Sequence, residues 1–291
     1  MQDAFGTVIT AMVTPFTADG ALDTEGLATL ASHLVDSGND GLVINGTTGE
    51  APTTSDEEKV RALQVVLEAV GNRAKVIAGV GTNDTAHTVE LAQQAAAAGA
   101  HALLIVTPYY NKPPQAGLLQ HFRTAADATA LPVMLYDIPG RSAAEIATPT
   151  LIELAEHPRI LAVKDAKGDL AASSRVLSAT DLLYYSGDDA MNLPLMSVGG
   201  TGFVSVVGHF VAPELVAMRK AFIAGDLEAA QLLHYQSLAV TDAVFVTQAA
   251  MTVKAVLARQ GLPGGPVRAP LVAATDEQVA GVLTALEAIS G

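Results

Sequence analysis

The sequence predicts an α/β fold, a (β/α)8 TIM barrel with a C-terminal all-helical appendage. From Val8 to Gly208, eight short apolar runs alternate with helix-like segments. Alternation of strand and helix favours a parallel sheet, and eight strands that read as continuous apolar runs favour a closed barrel over an open sheet. Beyond about residue 226 only helical patterns remain, so we expect a catalytic barrel domain over 1–225 and a helical domain over 226–291.

The eight predicted strands are each bounded by Gly, Pro or Asp. They are expected over Val8–Phe16, Gly41–Gly46, Lys75–Gly81, Ala102–Tyr110, Pro132–Pro139, Arg159–Asp165, Leu182–Gly187 and Gly202–Gly208. In such a barrel the active site lies at the carboxyl ends of the strands. The polar residues that end these runs are therefore the candidates for function.

Capping patterns predict the helices. Asp23–Gly38 has apolar residues at helical spacing, and Ser55–Glu58 is a capping box whose helix is expected to bury Val60, Leu63 and Leu67. The other helices are predicted over Thr85–Gly99, Pro213–Gly225, Asp226 to about Val240, Val246–Gln260 and a segment that a second capping box opens at Thr275–Gln278.

Composition excludes several classes of function. Half of the 291 residues are hydrophobic, which is enough for a sizeable core, and the net charge of −14 argues against a nucleic-acid partner. The absence of cysteine excludes disulfides, thiolate catalysis and Cys-ligated zinc, and the seven histidines form no HExxH or similar ligand pair. The first residues lack a signal-peptide pattern and no apolar run is long enough to cross a bilayer, so we expect a soluble cytoplasmic protein without a membrane partner.

Lys164 is the candidate nucleophile because it ends the apolar run Ile160–Asp165. Strand alternation would place Ile160, Ala162 and Lys164 on one face. Burial lowers the pKa of a lysine, and a neutral amine can form a Schiff base with a carbonyl substrate. The simpler interpretation is a strand-end lysine that extends to water. Lys167, which we expect to be solvated, is the alternative nucleophile.

Other strand ends carry polar groups with two interpretations each. Gly46–Glu50 (GTTGE) could hold a carboxylate through its N–H groups and hydroxyls, or be an ordinary turn. The adjacent tyrosines of Thr107–Asn111 suit packing or proton transfer, and Tyr136 is expected to point to the barrel mouth. Arg141 follows a Pro-Gly turn and suits a bidentate grip on a carboxylate, although a surface ion pair is a common role for such an arginine.

Five motifs together match a known family over nearly the whole chain. They are GTTGE at 46–50, TPYYN at 107–111, LYDIPGR at 135–141, VKDAKGDL at 163–170 and SGDD at 186–189. The chain resembles the dihydrodipicolinate synthase family, within the superfamily of pyruvate-dependent class I aldolases that includes N-acetylneuraminate lyase. The resemblance implies condensation of pyruvate with L-aspartate 4-semialdehyde to 4-hydroxy-tetrahydrodipicolinate in lysine and diaminopimelate biosynthesis, with no metal or organic cofactor.

The resemblance also implies catalytic roles. Lys164 matches the Schiff-base lysine, and Tyr136 matches the tyrosine that moves protons to and from the imine. Thr48 matches the threonine that relays this proton and that also contacts the substrate, while Thr47 helps to hold the pyruvate carboxylate. Tyr110 matches the tyrosine that crosses a dimer interface to complete the relay of the other subunit.

Three further residues match binding positions. Arg141 matches the arginine that binds the carboxylate of the aldehyde, and Gly187 and Val204 match positions that line the pyruvate pocket. Family members are usually homotetramers made of two tight dimers, so the resemblance implies the same assembly here.

Some positions depart from the family pattern. Asp137 replaces a common Asn, and Ala143 stands where glycine or a small polar residue is usual, which could reshape the aldehyde pocket. Lys59 and His87 occupy the places of a histidine and a glutamate in the cleft where lysine-inhibited members bind lysine. We therefore expect weak or absent feedback inhibition, although Asn83 and Tyr109 still match that cleft.

Two alternatives remain at this point. A sibling pyruvate-dependent lyase would act on a sugar acid or a hydroxy-oxo acid, but GTTGE and the Pro-Gly-Arg rim favour the synthase because the arginine offers a partner to a short acidic aldehyde. A non-catalytic barrel that binds a small acid would lack the lysine or the relay tyrosine, and both are present.

Overall fold

Eight parallel strands form a closed barrel, in the computed structural model that describes residues 4–290. Each strand pairs with its neighbours in chain order, and β8 pairs with β1 to close the barrel. The strands are β1 Val8–Ala11, β2 Gly41–Ile44, β3 Lys75–Gly79, β4 Ala102–Val106, β5 Val133–Asp137, β6 Ile160–Asp165, β7 Leu183–Ser186 and β8 Gly202–Ser205. The predicted fold class is thus confirmed. Most predicted strands extended too far at their carboxyl ends, where the chain already leaves the sheet to build the site.

Twelve α-helices lie within the described residues. They are α1 Thr24–Asp36, α2 Asp56–Val70, α3 Thr85–Ala98, α4 Gln115–Asp127, α5 Pro139–Ser142, α6 Thr148–Leu154, α7 Leu170–Ala179, α8 Asn192–Ser197, α9 Gly208–Ile223, α10 Leu227–Val244, α11 Ala249–Arg259 and α12 Asp276–Ser290. Both predicted capping boxes form: Ser55 and Glu58 exchange hydrogen bonds at the start of α2, and Thr275 and Gln278 do so at the start of α12.

Two helix predictions were wrong in detail. In α2, Leu63 is buried as predicted, but Val60 and Leu67 are only half-buried and Val65 and Val66 are buried in their place. The helix packs against α1 and α3 as well as β3, so its buried face is wider than one stripe. The helix expected from Pro213 begins earlier as α9, and its backbone bends at Val211, just before the proline.

The core has two layers. The outer layer lies between strands and helices, and the inner layer fills the barrel with side chains that include Ile9, Val43, Met134 and Ala162. The register between β5 and β6 shifts by one residue between Val133 and Met134. The expectation that Ile160 shares a face with Lys164 is therefore wrong: Ile160 packs in the outer layer and Leu161 against the inner layer, while Ala162 lies inside the barrel.

Helices α10 to α12 follow the last β/α unit. Helix α10 packs against α9 and α12, and Asp226 caps its first turn as the sequence predicts. The division into two domains at residue 226 stays a prediction. Among the described residues no single helix is long and apolar enough to cross a membrane. Helices α10 and α11 reach that length and apolar composition only when taken together, and they are bent by 103° at their junction.

Candidate active site

Lys164 and Tyr136 meet inside the mouth of the barrel. The register of β5 and β6 places the two residues opposite each other, and Lys164 Nζ lies 4.0 Å from the centroid of the Tyr136 ring. Both residues are buried: Lys164 is 4% exposed and Tyr136 is 5% exposed. The sequence-based expectation that the two residues share one site agrees with this geometry.

The Lys164 amine is poised to be neutral. Burial lowers its pKa to about 7; the carboxylate of Asp189 opposes this shift and the positive charge of Arg141 adds to it. Nζ forms no hydrogen bond or ion pair with the part of the chain that the structure describes. The uncharged amine, which is the form that attacks a carbonyl, is therefore accessible near neutral pH.

Tyr136 keeps its proton at neutral pH. Burial raises the pKa of its hydroxyl to about 12, against the opposing effects of Arg141 and a polar contact with Thr47. That contact comes from Thr47 and not from Thr48, the residue to which the sequence comparison gave the relay. Thr47 lines the cavity beside Tyr136, whereas Thr48 is buried in the turn. The structure therefore favours Thr47 over Thr48 as the neighbour of the Tyr136 hydroxyl.

Gly187 gives the Lys164 side chain its space. A Cβ atom at position 187 would lie 2.8 Å from both Cγ and Cε of Lys164, closer than carbon atoms approach without strain. Val204, on β8, is buried in the inner layer together with Tyr136 and Ala162. Gly187 thus borders the lysine, whereas the lining of a pyruvate pocket by Gly187 and Val204 stays a prediction.

Arg141 lies at the rim of the same site. The one-turn helix α5, which follows β5 directly, carries it and ends at Ala143 in the left-handed conformation (φ 57°). Arg141 lines a cavity of about 450 Å³ together with Thr47 and Tyr136. Its charge acts on the pKa of both Tyr136 and Lys164, so the arginine can hold an anionic group next to the amine.

Tyr110 is not part of this cavity. It has a positive φ of 75° and is 88% exposed in the single chain, whereas its neighbour Tyr109 lines the cavity. Asn111 holds the same loop by donating a hydrogen bond to the backbone carbonyl of Asn83 (2.8 Å). Tyr110 therefore does not serve the site of its own subunit.

The structure adds Asp189 to the site. This buried carboxylate accepts hydrogen bonds from the hydroxyl of Ser205 (2.5 Å), from the backbone N–H groups of Val206 (2.8 Å) and Val207 (3.1 Å), and from the amide of Asn192 (3.0 Å). Its negative charge opposes the fall of the Lys164 pKa. The SGDD motif marked the segment, but sequence alone did not show which aspartate is buried.

Lys167 is not solvated, contrary to the prediction. Its side chain is only 11% exposed, and Nζ lies 3.3 Å from Oδ2 of Asp137, a residue that is almost fully buried. The chain turns back toward β5 directly after β6, which brings the lysine over the end of the neighbouring strand. Lys167 is thus committed to an ion pair, which weakens its case as the nucleophile.

The cavity continues to a charged cleft formed by Asp56, Lys59 and His87. Lys59 Nζ donates a hydrogen bond to the carbonyl of Thr54 (2.6 Å), and His87 Nε2 lies 2.9 Å from Oδ2 of Asp56. The hydrogen bond with His87 is the main cause of the lowered pKa of Asp56. Within residues 4–290, no group of three or more His, Cys, Asp or Glu side chains is arranged to hold a metal ion.

The fold and the site define a class: (β/α)8 barrel proteins with a buried lysine on the sixth strand at the centre of the candidate active site. The sequence model of the Dihydrodipicolinate synthetase family matches residues 4–289. The chain is 64% identical over 276 residues to the 4-hydroxy-tetrahydrodipicolinate synthase of Acidothermus cellulolyticus, which covers 95% of this chain and 90% of that protein. It is 62% identical to 4-hydroxy-tetrahydrodipicolinate synthase 2 of Streptomyces coelicolor over 277 residues, 95% of this chain and 93% of that protein.

A solved structure agrees with these sequence matches. The crystal structure of DHDPS from Cyanidioschyzon merolae with lysine bound superposes with a TM-score of 0.96 at 41% identity, covering 99% of each chain. The chain belongs to the dihydrodipicolinate synthetase family.

Proposed function

We propose that the protein is a lyase that condenses pyruvate with L-aspartate 4-semialdehyde to give 4-hydroxy-tetrahydrodipicolinate, a step of lysine and diaminopimelate biosynthesis. The observation that carries the proposal is the buried Lys164, whose pKa is lowered to about 7 and whose amine lies over the ring of Tyr136. The relatives described above support this reaction, and none of them supports a sibling lyase that acts on a sugar acid.

Lys164 supplies the covalent chemistry. Its neutral amine attacks the ketone carbon of pyruvate, and loss of water gives a cationic imine. The imine draws electrons from the neighbouring methyl group, so a methyl proton leaves and an enamine forms. The enamine carbon attacks the aldehyde of the second substrate, whose amino group then attacks the imine carbon and frees the lysine.

Each of these steps moves a proton close to the imine nitrogen. Tyr136 is in place to carry it because its hydroxyl stays protonated at neutral pH. Thr47, which contacts Tyr136, is the next member of the relay, and Thr48 shapes the turn that holds the pyruvate carboxylate. Tyr110 completes the relay of a neighbouring subunit, a role that its 88% exposure in the single chain permits.

Arg141 binds the carboxylate of the aldehyde at the rim of the cavity. A guanidinium offers two parallel N–H donors to a carboxylate, and its place beside Tyr136 brings the aldehyde carbon toward the enamine. The cross-subunit role of Tyr110 requires at least a dimer, and we propose a homotetramer made of two such dimers in the cytoplasm.

Initial rates with pyruvate and L-aspartate 4-semialdehyde, coupled to the next reductase, test the proposal. N-acetylmannosamine and glyceraldehyde serve as rival aldehydes in the same assay. We expect turnover with the semialdehyde alone. Turnover with a sugar aldehyde and none with the semialdehyde would keep the Schiff base but would move the function to the sibling lyases.

Regulation by lysine is expected to be weak or absent. The relative from Cyanidioschyzon merolae was solved with lysine bound. In this chain Lys59 lies in the cleft and already pairs with Asp56, which His87 also engages, so a cationic ligand meets a positive charge where it needs a free carboxylate. Titration of L-lysine against the initial rate checks this prediction, and inhibition below about 1 mM, the scale of a binding free energy near −4 kcal/mol, would contradict it.

A further inference from the structure

The loop that carries Arg141 leaves β5 at Asp137 and returns to the barrel at Ile146. Both backbone polar groups of Ile146 are held at this return point. Its N–H donates a hydrogen bond to Oδ1 of Asp137 (3.1 Å), and its carbonyl accepts one from Nζ of Lys167 (3.4 Å). The loop is therefore tied to its own first residue and to the segment after β6.

Asp137 and Lys167 also hold each other. Lys167 Nζ lies 3.3 Å from Oδ2 of Asp137, an oxygen that forms no directed hydrogen bond, so the lysine charge is its compensation. Asp137 is 1% exposed and Ile146 is fully buried. In such surroundings water cannot replace a lost partner, and an uncompensated charge is costly.

Lys167 is itself anchored to β6. Its backbone N–H donates to Oδ1 of Asp165 (2.8 Å), and the other carboxylate oxygen of Asp165 accepts a hydrogen bond from Ser173 of α7 (2.7 Å). Asp165 lies opposite Asp137 in the pairing of β5 with β6 and directly follows the nucleophile Lys164. The lysine therefore joins the Arg141 loop to the strand that carries Lys164.

We propose that Asp137 and Lys167 are positioning residues for Arg141: as one ion-paired unit they fix the return of loop 138–146 and so set the guanidinium where the carboxylate of the aldehyde binds. This inference rests on the proposed function, because it assumes that Arg141 receives the second substrate. The side chain of Asp137 is almost fully buried and Lys167 is paired with it, so both act through the loop and not by touching substrate.

Two single variants and their combination test the unit. Asp137→Asn removes the charge and retains an oxygen for Ile146, and Lys167→Met removes the other charge and retains the length of the side chain. Each single variant is expected to raise KM for the semialdehyde about tenfold, while KM for pyruvate and borohydride trapping of pyruvate on Lys164 change less than twofold. Because each single change leaves the other charge buried alone, the double variant is expected to be no worse than the poorer single one.

Two further variants separate positioning from general loss of structure. Lys167→Arg keeps the charge and is expected to restore KM for the semialdehyde to within about threefold of the wild-type value. Asp127→Asn is the matched control, because Asp127 also pairs with cations, Arg159 and His157, but lies at the far end of α4. It is expected to leave both KM values unchanged. Thermal unfolding of every variant identifies any that does not fold.

The outcomes also separate this inference from the proposed function. If the wild-type protein does not condense the semialdehyde, the proposed function fails before any variant is compared. If it does, additive effects of the two substitutions would overturn the inference. Equal changes in KM for pyruvate and for the semialdehyde, or no change in either, would overturn it as well.

Discussion

Among residues 4–290, two lysines are deeply buried; each lies over an aromatic ring, but their polar partners differ. Lys164 Nζ lies 4.0 Å from the ring centroid of Tyr136, and Lys254 Nζ lies 4.1 Å from that of Phe16. Lys254 donates to Oε1 of Glu50 (2.5 Å) and to the carbonyl of Pro266 (2.8 Å), whereas Lys164 has no such partner among the described residues.

The difference in partners gives the two amines different roles. Burial lowers the pKa of both, but the hydrogen bond and charge of Glu50 oppose the shift at Lys254. An amine that donates to a carboxylate and a carbonyl is not available to attack a carbonyl group. Lys254 thereby ties α11 to Glu50, the last residue of the GTTGE turn, while Lys164 is left free to react.

Removing the reactive amine is expected to have the largest effect. Lys164→Ala should lower turnover by on the order of 10³-fold or more, because the other lysine of this site, Lys59, is already bonded to the carbonyl of Thr54 and to Asp56. The far-ultraviolet circular dichroism spectrum and the thermal midpoint should match those of the wild-type protein. Near-normal turnover of the variant would move the nucleophile to another lysine and contradict the mechanism.

Removing the structural lysine should instead affect stability. Lys254→Met leaves the Glu50 carboxylate buried without its cation and is expected to lower the free energy of unfolding by about 3–5 kcal/mol. The midpoint of urea denaturation measures this change. Glu153→Gln is the matched surface control, since it breaks the exposed pair with Arg123 and should cost less than about 1 kcal/mol.

A shift for Lys254→Met as small as that expected for Glu153→Gln would show that the Glu50 pair does not support the fold.

The pH dependence of the reaction sharpens the contrast further. With a pKa of about 7, Lys164 loses its neutral form below pH 7, so kcat/KM for pyruvate should fall about tenfold per pH unit there and level off above about pH 8. The groups that act on this pKa are Asp189 and Arg141, and Tyr136 keeps its proton throughout this range. A profile that still rises toward pH 10 would mean that the reacting lysine is not shifted.

The sequence predicted the barrel well because its signals are local. Apolar runs, capping boxes and terminal glycines depend on neighbours a few residues away, and all eight strands and both boxes form. Lys164, Tyr136 and Arg141 could be grouped at one end because every parallel strand of a barrel ends on the same side.

The errors came from features that pairing between distant segments decides. The register shift opposite Met134 turned Ile160 outward, and no local pattern marks it. The turn after β6 buried Lys167 against Asp137, a pairing across two strands. Whether Thr47 or Thr48 contacts Tyr136 depends on the direction of single side chains in a tight turn, which sequence order does not fix.

The central claim is that Lys164, and not another lysine, forms the imine with pyruvate. The most direct test incubates the protein with pyruvate and borohydride at pH 8 and locates the reduced adduct by peptide mass spectrometry. One adduct per chain on the peptide that contains Lys164, with Lys254 and Lys167 unmodified, is the result we predict. An adduct on Lys167 or Lys254, or none at all while turnover persists, would contradict the account.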